Sequence, residues 1–144
     1  MLHKDPFIIK PETFSLIQDL QKMEILNGFY LVGGTALALK LGHRNSIDID
    51  LFTKNEFSTK DIAQKIAENR DFFISFEREN TLMCYIDSIK TDFIRHNYTL
   101  VNEPITEEGI TYLSLEDIAA IPIQWPPGVI FFSAYITWPL TLTL

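Results

Sequence analysis

The 144-residue sequence predicts an α+β, or mixed α/β, domain. Short apolar runs of strand length recur along it. Segments with helical spacing interrupt some of these runs, while others follow one another directly, as antiparallel neighbours do. The composition, 47% hydrophobic and 22% charged, is that of a globular chain able to bury a core. Residues 1–120 read as one domain and 121–144 as an atypical apolar tail.

The elements follow in order. "PETFSLIQDLQKMEILNG" predicts a helix: Pro11 suits a first turn, Phe14, Ile17, Leu20 and Ile25 keep near-helical spacing, and Gly28 ends it. "FYLVGG" is a short apolar run closed by glycines, a buried strand. "TALALKLG" is built of strong helix formers and stops at Gly42, and "GHRNS" is a loop. "IDIDLF" alternates apolar and acidic residues, as a strand with one face on the core does. Ser58 or Thr59 caps a helix through "KDIAQKIAEN". "FFISFER", "TLMCYIDS" and "KTDFIRH" are strands, with "ENT" as the turn between the first two. A loop precedes "GITYLS", read as a strand. "SLEDIAAI" opens a helix with Ser114 as cap and Asp117 three residues later.

The net charge of −7 argues against a chain that wraps nucleic acid by bulk electrostatics, while leaving room for a local basic groove. Cys84 is the single cysteine, so no internal disulfide can form and a reducing cytoplasm is expected. The first residues lack the form of a signal peptide, and no apolar run is long enough to cross a membrane as a helix, so no membrane partner is expected.

The chemistry concentrates in residues 31–52. On a strand, Asp48 and Asp50 share one face and Ile47, Ile49 and Leu51 the other. Adjacent carboxylates repel, and a hard divalent ion such as Mg²⁺ relieves this because it prefers oxygen ligands. A bare acidic pair is also what a solvated strand face carries. Gly33 and Gly34 fall where a strand turns into a helix, where glycine permits close phosphate approach and the helix N-terminus offers free N–H groups. Thr35 adds a hydroxyl, or simply caps the helix. Thirteen residues then separate this cradle from the acidic pair. Asp92 supplies a third carboxylate on another strand, since a two-metal phosphoryl-transfer site needs more than two. Asp87 competes for that role but falls at a strand end or turn. Arg44 can grip an oxyanion in bidentate fashion or pair with a surface acid. Lys54, Lys90 and His96 are weaker candidates, and His43 reads as a loop residue.

"GGTALAL", "GHRNSIDIDLF", "TDFIRH" and "LSLEDIAA" together resemble the AbiEii/AbiGii-type toxin family of nucleotidyltransferases, within the polymerase-β-type superfamily. The likeness runs from about residue 12 to residue 120, by motif order. It implies a nucleotidyltransferase-type mixed sheet flanked by helices. It also implies transfer of a nucleotide from an NTP, with Mg²⁺, onto a hydroxyl acceptor that in some members is tRNA, in a toxin–antitoxin or phage-defence system with a cognate antitoxin. By position, Gly33, Gly34 and Thr35 hold the triphosphate. Asp48, Asp50 and Asp92 are the catalytic and metal-binding carboxylates, and Arg44 and Ser46 match polar positions at the phosphate. Two other readings use the same residues: a non-catalytic remnant of the fold, and an interaction module that self-associates through its tail.

The tail departs from the family pattern. After "LEDIAA" related sequences continue with a lysine and a basic, acid-bearing stretch, whereas Pro122 stands at the lysine position here. The last 24 residues carry no charge, four prolines and two tryptophans, a composition that reads as a change of reading frame or as a packed extension.

Overall fold

The computed structural model describes residues 1–97 and 99–121. In chain order the elements are α1 (Pro11–Lys22), a 3-10 turn (Glu24–Leu26), β1 (Tyr30–Val32), α2 (Gly33–Leu41), β2 (Ile49–Thr53) and α3 (Thr59–Ala67). There follow β3 (Phe72–Arg78), β4 (Thr81–Ile86), β5 (Ile89–Arg95), β6 (Ile105–Glu107), β7 (Ile110–Tyr112) and α4 (Leu115–Ala120). The strands form one mixed sheet in the order β3-β4-β5-β2-β1-β7-β6. The β2/β5 and β1/β7 pairs are parallel and the others antiparallel. The fold is therefore the mixed α/β arrangement expected, with helices packed on the sheet: α2 against β1 and β2, α3 against β3 and β4, and α1 against β7.

α1 is shorter than its sequence suggests. Thr13, Leu16, Ile17 and Leu20 form its buried face. The next positions on that stripe are Glu24 and Asn27, so a longer helix would have nothing apolar to bury. The chain turns through the 3-10 segment instead, which buries Leu26 and leaves Ile25 39% exposed. α2 is buried along almost its whole length, including Ala36, Leu37, Ala38 and Leu39. It ends where Gly42 takes a left-handed conformation (φ 63°) and donates its N–H to Ala38 O at 2.7 Å.

β2 departs from the alternating pattern. It begins at Ile49, and all five of its residues are buried, because it lies in the middle of the sheet between β1 and β5. Ile47, expected to share the core face with Ile49 and Leu51, precedes the strand and is 61% exposed. The Asp50 face is not a solvated one. β6 falls in what reads as loop; it pairs with β7 through a Glu108–Gly109 turn in which both residues have positive φ. The turn between β3 and β4 holds Asn80 at φ 57°. Asp87 and Ser88 both have positive φ at the β4–β5 turn, where Asp87 accepts from Arg70 Nη1 at 2.6 Å.

Ser58 and Ser114 cap α3 and α4 as expected, each accepting from the amide three residues on. Asp117 does more than complete the second cap. Its carboxylate accepts from Ser114 Oγ at 2.8 Å and from the Val101 and Asn102 amides at 2.7 and 3.0 Å. It thus fastens the 101–102 loop to α4. Ile121, the first residue of the uncharged segment, is buried in the core with Leu113 and Ile118. The readings made for the rest of the tail fall on residues 122–144, outside the described ones. Among the described residues, no helix is long and apolar enough to cross a membrane.

Burial acts to raise the Asp117 pKa, but the amide bonds from Val101 and Asn102 and the Ser114 hydroxyl outweigh it and hold it below the ordinary value. Its stabilising effect is therefore complete above the unfolded pKa of 3.8 and is lost as pH falls through the lower native value. Asp117→Ala should cost about 2–3 kcal/mol near neutrality, since it orphans two amides, against about 1 kcal/mol for Ser114→Ala. Urea unfolding at pH 7 measures both. Repeated toward pH 2, the gap between wild type and Asp117→Ala should narrow.

Candidate active site

The candidate site lies where β1 runs into α2 and the chain returns as β2. Val32 is opposite Asp50 in the antiparallel β1/β2 pair, so the start of α2 stands beside that carboxylate. Gly33 is the first helical residue and has φ 75°, a conformation that favours glycine. A Cβ there would collide with Asp50, lying 3.1 Å from its Cγ. The absence of a side chain at Gly33 is what leaves room for a carboxylate at the helix N-terminus.

A buried chain of hydroxyls ties the next segment to α2. Thr35 Oγ1 donates to the Asp48 carbonyl and lies 2.6 Å from Ser46 Oγ. Thr35 has a single hydroxyl hydrogen, so Ser46 must be the donor in the second bond. The Ser46 amide donates in turn to Ile8 O at 2.8 Å. Thr35 and Ser46 are thus buried and bonded internally, in a position to fix Asp48.

The carboxylates come together across strands. Asp50 on β2 is directly opposite Asp92 on the parallel neighbour β5, so both leave the same face of the sheet. Asp50 is 1% exposed and Asp92 0%. Lys90, two residues before Asp92, places Nζ 2.5 Å from Asp92 Oδ2. Oδ1 of Asp50 and Oδ1 of Asp92 are buried without a hydrogen-bond partner. Burial foremost, then the charges of Asp92 and Asp48, pushes the Asp50 pKa well above the carboxylate range against the pull of Lys90. Burial also raises Asp92, more than the Lys90 hydrogen bond lowers it. For Lys90, burial alone would lower the pKa, but the bond to Asp92 and the surrounding negative charge raise it.

Asp48 is half-buried, just before β2, and its charge bears on both Asp50 and Asp92. Among the described residues, no three His, Cys, Asp or Glu side chains already form a metal-holding set. The arrangement is a close pair with a third carboxylate beside it. Orphaned buried carboxylate oxygens in a like-charged pair suit a hard cation, which would satisfy both. Cys84 is no competing ligand: its thiol donates to Thr91 O at 3.1 Å, and burial, with the charge of Asp92, pushes its pKa up to about 12.

The remaining candidates scatter. Arg44 sits in the loop before Ser46, with Nε donating to Asn45 O at 3.2 Å, and His43 is exposed beside it. Lys54 and His96 lie at the opposite end of β2, where the His96 amide donates to Thr53 O; Thr53 is three residues, roughly 10 Å, along the strand from Asp50. Asp87 is held in its turn by Arg70, away from the pair. The direct Lys90–Asp92 bond had a trace in sequence, since residues two apart on a strand share a face.

Thr35→Val keeps the shape and removes the hydroxyl. It should destabilise the fold by about 1–3 kcal/mol, as the Asp48 carbonyl and Ser46 hydroxyl lose their partner, and Thr35→Ser should recover most of that. Thermal unfolding of the two variants checks this.

The family described as "Nucleotidyl transferase AbiEii toxin, Type IV TA system" matches residues 15–144, so the match continues through the uncharged segment. A relative from Aquifex aeolicus (strain VF5), named "Uncharacterized protein aq_aa25", is 32% identical across 78% of this chain. The matched stretch is 57% of that protein's length. No solved structure gives a significant match. With the glycine turn, the acidic strand and the mixed sheet in place, the chain belongs to the AbiEii family of nucleotidyl transferase toxins of type IV toxin–antitoxin systems.

Proposed function

We propose that this chain transfers a nucleotidyl group from an NTP to a hydroxyl acceptor, with RNA such as tRNA as the acceptor class, in a cytoplasmic toxin restrained by a cognate antitoxin. The observation that carries the reading is the buried Asp50–Asp92 pair, with one unpartnered oxygen on each residue, beside the glycine-opened start of α2. In this scheme Asp48, Asp50 and Asp92 would hold Mg²⁺, which would supply charge neutralisation and polarisation of the phosphoryl oxygens.

The chain's own groups do the positioning. Gly33 and Gly34 leave the first turn of α2 open, so its N–H groups can face phosphate oxygens. Thr35 and Ser46, part of the phosphate-binding set by family position, act by holding the Asp48 segment against that turn. Arg44, in the adjoining loop, is the guanidinium for the outer phosphates. In the transfer itself, the acceptor oxygen bonds to the α-phosphorus and the bond to the β-phosphate bridging oxygen breaks. Pyrophosphate leaves, and the hydroxyl proton passes to a carboxylate oxygen, for which Asp92 is the nearest buried candidate.

Incubating the protein with total tRNA, Mg²⁺ and each labelled NTP in turn tests the activity. One NTP should be incorporated, and Asp50→Asn should lower the rate by more than about a hundredfold, the scale of losing a metal's charge stabilisation. Without divalent ions the variant should melt no lower than wild type, because it removes one of two buried like charges. Mg²⁺ with the NTP should raise the wild-type Tm and leave that of Asp50→Asn unchanged. An equal rise in both would remove Asp50 from the metal site, and no incorporation of any NTP would remove the activity.

A further inference from the structure

The carboxylate face carries a cation of its own. Lys90 and Asp92 leave the same face of β5, and the ammonium engages Asp92 Oδ2 at 2.5 Å. Asp92 is fully buried, while the Lys90 side chain keeps 29% exposure. Lysine is a compact charge on a flexible four-carbon stem, so it can hold one carboxylate oxygen and still swing away along the stem. The bridge leaves Asp92 Oδ1 and Asp50 Oδ1 without partners, so one ammonium satisfies the pair only in part.

We propose that Lys90 is a tethered counter-ion that competes with the divalent metal for Asp92 and, once displaced, becomes a donor to the polyphosphate of the incoming nucleotide. This rests on the reading of Asp50 and Asp92 as metal ligands. A divalent ion on the pair would stand within a few ångströms of the ammonium, and the two positive charges repel. The metal, held by oxygens on two strands, has no freedom to yield, whereas the lysine stem does. A released ammonium beside the loaded carboxylates faces the place where phosphate charge must lie. The bridge then couples the two binding events: Lys90 opposes the metal when it arrives alone and favours it when polyphosphate arrives with it.

The test is titration of the full chain with Mn²⁺ alone, free ion being read by electron paramagnetic resonance, in wild type, Lys90→Gln and Lys90→Arg. Lys90→Gln should bind Mn²⁺ about tenfold more tightly than wild type, the scale of removing one like charge near a site. Lys90→Arg, which keeps the charge, should not. With inorganic triphosphate added, the order should reverse, and Lys90→Gln should bind the Mn²⁺–triphosphate complex more weakly than wild type. A lysine with a merely structural role would leave the Mn²⁺ affinity of Lys90→Gln equal or weaker, and that result overturns the inference while the metal site stands. Failure of wild type itself to bind Mn²⁺ overturns both. Should Lys90→Gln not fold, limited amine acylation of the wild-type chain, read at Lys90 by mass spectrometry, decides the matter: reactivity should rise on saturation with Mn²⁺, and unchanged reactivity refutes the displacement.

Discussion

Two carboxylates buried side by side in the middle of a sheet are the constraint around which this protein is organised. Asp50 and Asp92 occupy facing positions of adjacent central strands, and neither has meaningful access to water. Desolvating two like charges at strand spacing is unfavourable, and one lysine offsets it only in part. The surrounding core must sustain the difference. Ile49 and Leu51 flank Asp50 on β2, Phe93 follows Asp92 on β5, and Leu31 packs on β1, all of them fully buried. Such a local conflict, retained where an asparagine or leucine would fit the strand, is what a binding or catalytic site looks like in energetic terms.

The crossover from β1 through α2 to β2 converts that pair into a site. A helix starting directly from a strand needs an unusual backbone at the junction, and Gly33 supplies it while making room for Asp50. The Ser46–Thr35–Asp48 chain then fixes the returning segment to the same helix. α2, buried nearly throughout, has little freedom to move relative to the sheet. The glycines and the acidic pair therefore lie close in sequence because one tight excursion brings them face to face. The same compactness explains why a family defined by nucleotidyl transfer is legible in this stretch, even though the match spans only 57% of its Aquifex relative.

Away from the site, stability rests on conventional devices with one unusual concentration of bonds. Asp117 gathers a serine hydroxyl and two amides at the start of α4, and so anchors the 101–102 loop on the far side of the sheet from the β3 edge. Arg70 plays a similar part at the other side, bridging Asp19 of α1 and Asp87 in the β4–β5 turn at 2.6 Å each. Both tie loops to helices without drawing on the carboxylate pair.

The sequence by itself determined the mixed fold class, most helices and strands, both serine caps and the grouping of Gly33, Gly34, Asp48, Asp50 and Asp92 as the candidate constellation. These follow from local chemistry: period, cap residues, turn residues and motif order are properties of neighbours along the chain. It did not determine where α1 stops, because that depended on Glu24 and Asn27 falling on the buried stripe. Nor did it yield β6, whose polar edge character carries no alternation to detect. The burial of Asp50 was also hidden, since alternation in "IDIDLF" describes an edge strand and a central strand equally until the neighbours are known. Only the tertiary structure decided that β2 lies between β1 and β5, that Asp50 therefore faces Asp92, and that Lys90 rather than water meets the pair. Register between strands 40 residues apart is set by packing of the whole core, which no short stretch encodes.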